Sequence, residues 1–305
     1  MNVKKYLRRP WLILHWLKDK KLHGKYGRDL SDEKFLKKAF KLNNKKKLDL
    51  ENPKTFNEKM QWLKLYDREN DSLTDTVDKY AVKKIVTDKI GEQYVIKSYG
   101  VWNSFEEIDF DALPDKFVLK TTHDCGGVVI CKDKKSFNYE KAKKFLEEHL
   151  QRKYFYQARE WPYKNVKPRI LAEEFVGSED ECLVVYKVFC FGGKPRLIQV
   201  IQGDKSKDET IDYFDENWNL LPLRQNYPNS VNHLPKPNCL QEMLELSGQL
   251  SSHRCFLRVD WYVIDGQLKF SEFTYYSDAG FAKFEPKEWD SKLGEWIELP
   301  EPRKE

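Results

Sequence analysis

The stretch Lys116-Phe-Val-Leu-Lys120-Thr-Thr-His-Asp-Cys-Gly126-Gly127-Val-Val-Ile-Cys131 decides the fold of this 305-residue chain. Two short apolar runs flank a loop with paired glycines, which predicts two β-strands joined by a glycine-rich connection. Small residues let backbone N–H groups approach an anion closely, and a lysine at a strand end can pair with phosphate charge. The stretch therefore predicts a phosphate-binding loop beside Lys120. A glycine-bearing hairpin with a solvated lysine is the alternative interpretation.

A second pair of predicted strands, near the C-terminus, carries carboxylates where a sheet is usually apolar. Asp260 and Glu272 lie in the two strand-like runs on either side of 265–267. A three-residue loop or a β-bulge would place both carboxylates on one face, whereas a strict two-residue turn would place them on opposite faces. On one face, the paired oxygens would suit a hard cation such as Mg²⁺ that also holds phosphates. A ladder of salt bridges with Arg258 or Lys269 is the alternative.

The rest of the chain combines predicted helices with predicted hairpins, which is an α+β pattern. Capping signals at Ser31 and Thr55 open helices, and Gly91 ends a helix that begins at Val77. The aromatic and basic segment 153–169 is interpreted as a loop. Further strands are predicted at 170–176, 183–191 and 196–202, and further helices at 142–150, 240–250 and 286–297.

Composition excludes several classes of protein. The chain has 9 Trp, 16 Tyr and 18 Phe, which can build a core, so we exclude a disordered chain. No apolar run approaches the roughly 20 residues of a transmembrane helix. We find no Walker, dinucleotide-binding, nucleophile-elbow or zinc-finger motif, and the 6 cysteines form no CxxC pair. Without a secretion signal, we expect a cytoplasmic protein with reduced cysteines.

Charge is distributed unevenly along the chain. Residues 1–50 hold 16 Lys or Arg against 5 Asp or Glu, a net charge of +11, whereas the remainder carries −6. Four apolar residues, Trp11, Leu12, Leu14 and Trp16, follow the first cluster of cations. This composition is typical of a segment that binds an anionic membrane surface without spanning it. The alternative is a helical region that packs on the body with its lysines in solvent.

A phosphate loop followed by a carboxylate hairpin about 140 residues later is similar to the layout of ATP-grasp enzymes. Several separate blocks between about Pro53 and Leu299 resemble one branch, the TupA-like (teichuronopeptide-biosynthesis) ATP-grasp family. The blocks are Asp78-Lys79-Tyr80, Tyr99-Gly-Val-Trp102, Phe117-Val-Leu-Lys-Thr-Thr-His-Asp124, Trp161-Pro-Tyr-Lys-Asn-Val-Lys-Pro-Arg169, Ala172-Glu-Glu-Phe175 and Phe189-Cys-Phe-Gly-Gly-Lys-Pro195.

The resemblance implies an ATP-grasp fold, in which two α+β lobes with antiparallel sheets clasp ATP. We expect a basic helical N-terminal region at 1–75 and a catalytic domain at 76–305. Within the catalytic domain, the nucleotide lobe would span about 116–176 and the metal-binding lobe about 177–299.

The resemblance also implies residues that bind the nucleotide. Lys120 would contact the α- and β-phosphates of ATP, and Lys79 would be an earlier lysine on the phosphate side, although Lys83 and Lys84 lie one turn away. Glu173 would face the adenine amino group. The other implied residues are the loop glycines, the backbone after Glu173 and a lysine of the next strand: Gly126, Gly127, Phe175, Val176 and Lys187.

Asp260 and Glu272 would bind Mg²⁺ and, with Lys120, would form the catalytic set. Thr274 stands where the family usually has an asparagine ligand, so the number of metal ions stays open. Basic side chains near the glycine-rich loop are candidates for binding an acidic substrate: His123, Lys164, Lys167 and Arg169.

The implied function is ATP-dependent ligation of a carboxylate to an amine through an acyl phosphate, in the biosynthesis of a capsular or teichuronopeptide-like surface polysaccharide. The acid would be a uronic acid and the amine an amino acid or another amine. We expect no nucleic-acid partner and a cytoplasmic enzyme that lies peripherally at the inner membrane face. Two alternatives stay open. One is a glycosyltransferase, since Asp109-Phe110-Asp111 matches the DxD metal-binding motif of many such enzymes, and the other is a non-catalytic membrane-surface adaptor. The identities of acid and amine, and the oligomeric state, stay open.

Overall fold

The chain begins with helices and continues into two β-sheets. A computed structural model describes residues 10–67, 72–177, 183–204 and 206–301, and gives no side-chain positions for 10–16 and 72. The helices before the first strand are α1 (Pro10–His23), α2 (Lys25–Arg28), α3 (Asp32–Asn44), α4 (Phe56–Tyr66), α5 (Ser72–Val77) and α6 (Ala81–Ile90). Later helices are α7 (Tyr139–Leu150), α8 (Phe155–Ala158), α9 (Leu240–Ser251) and α10 (Glu288–Glu295), and the 3₁₀ turns are Glu92–Tyr94, Trp161–Tyr163 and Ser277–Gly280.

The strands form two separate antiparallel sheets. The first sheet contains β1 (Ser98–Trp102), β2 (Phe117–Thr121), β3 (Val128–Cys131) and β4 (Ile170–Glu174), in the order β1-β4-β2-β3. The second contains β5 (Val185–Phe191), β6 (Lys194–Gln202), β7 (Thr210–Phe214), β8 (Phe256–Ile264) and β9 (Gln267–Thr274), in the order β7-β6-β5-β8-β9. All strand pairs in the described ranges are antiparallel. The predicted α+β architecture with two antiparallel sheets is confirmed.

Helix starts follow the capping signals. The Ser31 hydroxyl accepts from the Lys34 N–H at 3.4 Å at the start of α3. Thr55 and Glu58 form a reciprocal capping box at the start of α4, which satisfies N–H groups that a helix leaves without an internal partner.

The helix predicted from Val77 ends at Ile90, before Gly91, as expected, but it begins later, at Ala81, because the chain breaks between α5 and α6. The Asp78 carboxylate accepts from the Tyr80 and Ala81 N–H groups at 2.8 and 3.2 Å. The Lys79 N–H instead donates to the carbonyl of Thr122, at 3.1 Å. The break therefore ties this helical segment to the glycine-rich loop.

Two strands are missing from the sequence-based prediction. β1 is half-buried along its whole length and contains Gly100, so it lacks the alternation that marks a strand. β7 carries Asp212, which is 1% exposed and accepts from the Ser230 N–H at 3.0 Å. A buried charge of this kind is explained by a partner that is remote in sequence.

Three apolar cores support these elements. The largest packs helices, including α4 and α9, against the second sheet, and the second packs α7 against the first sheet through Leu119 and Leu146. The third lies within the N-terminal helices around Phe35, Leu36 and Phe40. Buried Arg159 joins that core to the segment before β4, because its Nε lies 3.0 Å from the Asp32 carboxylate. Within the described ranges, no helix has the length and apolar character needed to cross a bilayer.

Candidate active site between the two sheets

The register of the last hairpin places Asp260 and Glu272 directly opposite each other. The turn has two residues, Asp265 and Gly266, since Ile264 pairs with Gln267. A turn of that length alone would separate the carboxylates, but a bulge shifts the register between Asp260 and Trp261 and brings the pair onto one face. The bulge in our prediction is therefore present.

Arg258 holds the Asp260 carboxylate in a two-point ion pair. Its Nε lies 2.7 Å from Oδ1 and its Nη2 lies 2.8 Å from Oδ2 of Asp260. Nη1 of Arg258 donates to the Ser277 hydroxyl at 3.2 Å, and Nη2 lies 3.8 Å from Glu272 Oε1. Burial opposes the charge of Arg258, but attraction to Asp260 raises its pKa overall.

The sequence also allowed a ladder of salt bridges in place of a metal site. Such salt bridges are present at Arg258, on a buried face of the sheet. Lys269 takes no part, because its ammonium donates to the carbonyl of Gln93 at 2.7 Å. Lys187 pairs with Asp260 across β5 and β8, and its Nζ lies 3.5 Å from Asp260 Oδ2.

A second charged cluster lies on the first sheet, where Glu173 receives two lysines. Lys83 Nζ lies 2.5 Å from Oε1 and Lys120 Nζ lies 2.5 Å from Oε2 of Glu173. Burial alone would raise the pKa of Glu173, but the two ammonium groups lower it overall. Burial also lowers the pKa of Lys83, and Glu173 partly offsets this effect.

The charge of Lys120 couples the two clusters electrostatically. Burial acts to lower the pKa of Lys120, but attraction to Glu173, Tyr262 and Glu272 raises it overall. Tyr262 and Glu272 belong to β8 and β9, so the charge of Lys120 extends to the hairpin of the other sheet. Of the residues predicted from the sequence, the structure therefore groups Lys120 with Glu173 in one cluster. It groups Lys187, Asp260 and Glu272 in the other.

Buried polar contacts hold the glycine-rich loop in place. The Asp124 carboxylate accepts from the Thr121 hydroxyl and lies 2.5 Å from Nδ1 of buried His149. The Lys79 ammonium donates a hydrogen bond to the carbonyl oxygen of Asp124, so Lys79 contacts the loop and not Glu173. A Cβ on Gly127 would lie 1.8 Å from the Thr121 hydroxyl, which explains why glycine is needed there. Gly126 has a φ of +88° and is exposed.

The four candidates for binding an acidic substrate differ in their surroundings. His123 is buried, and its Nε2 lies 3.1 Å from the carbonyl of Arg152. Arg169 pairs with Asp78, with 2.7 Å between Nη2 and Oδ2. Lys164 and Lys167 are exposed. Phe175 and Val176 follow β4 and are half-buried.

Sequence reasoning missed two residues of this region as site residues: Lys83 and Arg258. Lys83 could be found from its position in the predicted helix one turn after Lys79, although the structure places Lys79 outside that helix. Arg258 precedes Asp260 by two residues in one strand, so both side chains share a face of the sheet.

The residues present fit a divalent cation that arrives with phosphates. The described residues contain no group of three or more His, Cys, Asp or Glu that could hold a metal ion by themselves. The Glu272 side chain is 44% exposed and can turn its oxygens to the cleft, whereas Asp260 is committed to Arg258. Mg²⁺ is commonly held by one or two carboxylates together with substrate phosphates. Lys83, Lys120 and Lys187 supply the positive charge that a triphosphate requires.

Comparison with solved structures finds enzymes of similar architecture. A D-alanine–D-alanine ligase from Bacillus anthracis, solved with ATP, is 18% identical over 67% of this chain and 55% of its own, with a TM-score of 0.40. An L-amino acid ligase from Bacillus licheniformis is 17% identical over 68% of this chain and 44% of its own, with a TM-score of 0.43. This chain thus spans about half the length of these ligases.

Comparison of sequences gives the family. No curated protein matches the chain. The family model described as TupA-like ATPgrasp matches residues 58–298, which is most of the chain. The match contains both sheets and both charged clusters, including Lys83, Lys120, Glu173, Asp260 and Glu272. The family membership that the sequence predicted is therefore confirmed: this chain belongs to the TupA-like ATP-grasp family.

Proposed function

We propose that this protein is an ATP-dependent carboxylate–amine ligase that acts through an acyl phosphate. The observation that supports this activity best is the presence of two unlike charged clusters that Lys120 couples electrostatically. Glu173 carries two lysines on one side, and the Asp260–Glu272 carboxylate pair lies on the other. Such an arrangement can hold a triphosphate by its charge and present a carboxylate ligand to its cation.

The chemistry needs no nucleophilic side chain. An oxygen of the acid substrate attacks the γ-phosphorus of ATP, the bond to the β-phosphate oxygen breaks, and ADP leaves. The amine nitrogen then attacks the acyl carbon, and the bond to the phosphate oxygen breaks to release inorganic phosphate. Lys83 and Lys120 would hold the phosphates in line, which is how positioning lowers the barrier of phosphoryl transfer. Mg²⁺ bound at Glu272 would supply further neutralisation of the phosphate charge.

We further propose that the acid is a uronic acid of a surface polysaccharide or its precursor, and that the amine is an amino acid or a related amine. The family resemblance supports this substrate class, and the exposed cations at Lys164 and Lys167 are compatible with an acidic saccharide.

A hydroxylamine trap tests the ligase reaction without knowledge of the natural amine. The protein is incubated with Mg-ATP, hydroxylamine and oligosaccharides that contain glucuronic or galacturonic acid. We expect ADP and a hydroxamate in equal amounts, both dependent on the uronic acid, and neither from the matched neutral oligosaccharides. Release of UDP from UDP-sugars, with no hydroxamate from any uronic acid, would contradict the proposal and favour the glycosyltransferase.

We also propose that the N-terminal region binds an anionic membrane surface peripherally. Lys18, Lys21 and Lys25, in α1 and α2, are exposed, and each basic residue near such a surface contributes about 1 kcal/mol. Residues 1–9 and the side chains of Trp11, Leu12, Leu14 and Trp16 lie outside the described part of the chain. Co-sedimentation with liposomes of anionic or neutral lipid, at low and high salt, measures the binding. Binding that ignores both lipid charge and deletion of residues 1–20 would contradict it.

A further inference from the structure

The glycine-rich loop between β2 and β3 has a buried base and an exposed tip. The Thr121 N–H donates to the carbonyl of Gly127 at 2.8 Å, which closes the loop where the strands end. Asp124, inside the loop, is 1% exposed, whereas Cys125 and Gly126, which follow it directly, are exposed. The part of the loop that can reach a ligand therefore starts at the residue after a buried carboxylate.

Two buried side chains engage both oxygens of the Asp124 carboxylate. The Thr121 hydroxyl donates to Oδ1, and Nδ1 of His149 lies 2.5 Å from Oδ2. A carboxylate accepts hydrogen bonds, so the hydroxyl and the imidazole supply the hydrogens. Thr121 adjoins the loop, but His149 belongs to the last turn of α7 and lies 25 residues further along the chain. The position of α7 therefore acts directly on the loop.

Packing holds His149 in place. The residue is 2% exposed, and its ring lies 4.5 Å from that of Phe145, one turn earlier in α7, measured between centroids. The same helix packs on the first sheet through Leu146, which is 0% exposed. A side chain whose rotamer is fixed by packing can hold a hydrogen-bond partner in one geometry.

The side chains of Thr121, Asp124 and His149, which we call the loop network, also set the path of the second glycine. A Cβ on Gly127 would lie 2.8 Å from His149 Nδ1 and 2.9 Å from Asp124 Oδ1, so glycine is needed against these atoms. Gly126, one residue earlier, has a φ of +88°. The loop network therefore fixes where both glycines lie.

Stability alone is a weak reason for a buried polar network of this kind. Replacement of a buried charged pair by apolar side chains of similar volume is often neutral or stabilising. A fully hydrogen-bonded network instead favours one arrangement of the chain over the others. A binding site gains from such an arrangement, because its groups must be held within about 0.5 Å of the productive geometry. The loop network therefore points to a loop that is preorganised for its ligand.

We propose that His149 is a positioning residue for the nucleotide. By holding Asp124, it keeps the loop tip, residues 125–127, in the shape that receives the phosphates of ATP. This assignment rests on the proposed use of ATP. His149 acts through Asp124 and does not touch the nucleotide. Loss of His149 should weaken the binding of a nucleoside triphosphate more than that of a nucleoside monophosphate, because the loop contacts phosphates.

Binding of nucleotide without acid or amine tests the assignment. The full chain is titrated by calorimetry with Mg²⁺ and AMP-PNP, a non-hydrolysable analogue of ATP, and separately with AMP. In His149→Leu, we expect the Kd of Mg-AMP-PNP to rise about 10-fold, as for loss of a hydrogen bond to a charged group, and that of AMP to change less than about 2-fold. Glu148→Ala, at the exposed neighbouring position of α7, is the matched control and should bind as wild type does.

Two further variants keep the test valid if His149→Leu unfolds. His149→Asn places an amide N–H near the position of Nδ1, so it should retain most of the affinity. Thr121→Val removes the other donor to Asp124 and should also raise the Kd of Mg-AMP-PNP. Because both donors act through one carboxylate, the double variant Thr121→Val with His149→Leu should raise the Kd by less than the product of the two single effects.

The outcomes separate this assignment from the proposed function. An equal loss of affinity for Mg-AMP-PNP and AMP, or unchanged affinity in every folded variant, would overturn the positioning role of His149. Absence of Mg-AMP-PNP binding to the wild type would overturn the use of ATP, and this assignment with it. Normal nucleotide binding without hydroxamate from any uronic acid would instead overturn the ligase function and leave the role of His149 in place.

Discussion

The charged cluster of the first sheet and that of the last hairpin differ in their balance of charge. On the first sheet, Lys83 and Lys120 share a single carboxylate, Glu173, which leaves an excess of positive charge. On the hairpin, Arg258 and Lys187 face Asp260 and Glu272, so the formal charges cancel. The first cluster is therefore suited to an anion.

The hairpin cluster is suited to a cation and not to an anion. Arg258 occupies both oxygens of Asp260, while the Glu272 side chain stays 44% exposed. An approaching cation would find the accessible carboxylate of Glu272 first. Under the proposed function, the first cluster would bind phosphate by itself, whereas the hairpin cluster would act once a phosphate-bound cation arrives.

The largest effect is expected at Glu272. Glu272→Gln removes the accessible carboxylate, so we expect ATP turnover to fall by at least about 100-fold, as for loss of one preorganised electrostatic group. The unfolding temperature should stay close to that of wild type, because the side chain is half-exposed. Phosphate release measures the loss. Asp265→Asn, in the turn of the same hairpin, is the matched control, and equal activity of both variants would contradict the assignment.

A smaller effect is expected at the lysines of the first sheet. Lys120→Ala and Lys83→Ala each remove one of two cations, so we expect the KM of ATP to rise about 10- to 100-fold, as for loss of a hydrogen bond to a charged group. Lys84→Ala is the control on the same helix, because the Lys84 side chain is 81% exposed and pairs with Asp88. Initial rates over a range of ATP concentrations give the values. A Lys84→Ala defect as large as that of Lys83→Ala would contradict the cluster.

The smallest effect concerns stability in acid. The pKa of Glu173 is lowered in the folded chain, so its stabilising contribution is present above its ordinary pKa, about 4.5, and is lost as pH falls through the lowered value. Wild type should therefore be more stable than Glu173→Gln at neutral pH, and this difference should shrink below about pH 4.5. Denaturant unfolding at several pH values measures it. A difference that grows in acid would show that Glu173 is not held by the two lysines.

Much of the fold could be predicted from local signals. The capping box at Thr55 and the paired glycines after Lys120 act through neighbours a few residues away, so the sequence contains both partners. The order of the glycine-rich loop and the carboxylate hairpin could also be predicted, since order is a property of the chain. The same local signals failed for β1, whose position depends on pairing with β4.

The site depended on contacts that the sequence does not display. A bulge near Ser271 decides whether Asp260 and Glu272 meet, and bulges result from competition between turn geometry and packing on both faces. The choice of Lys83 over Lys79 for the pair with Glu173 follows from the helix break at Asp78.

By itself, the sequence determined the residue types, their order and the strands and helices with local signals, because short-range hydrogen bonds and side-chain periodicity set these features. The tertiary structure alone decided which charges meet. Glu173 lies between Lys83 and Lys120, and Lys187 lies beside Asp260, from segments far apart in the chain. The physical reason is that a buried charge is stabilised by whatever the fold places around it, and that arrangement belongs to the packing of the sheets and helices.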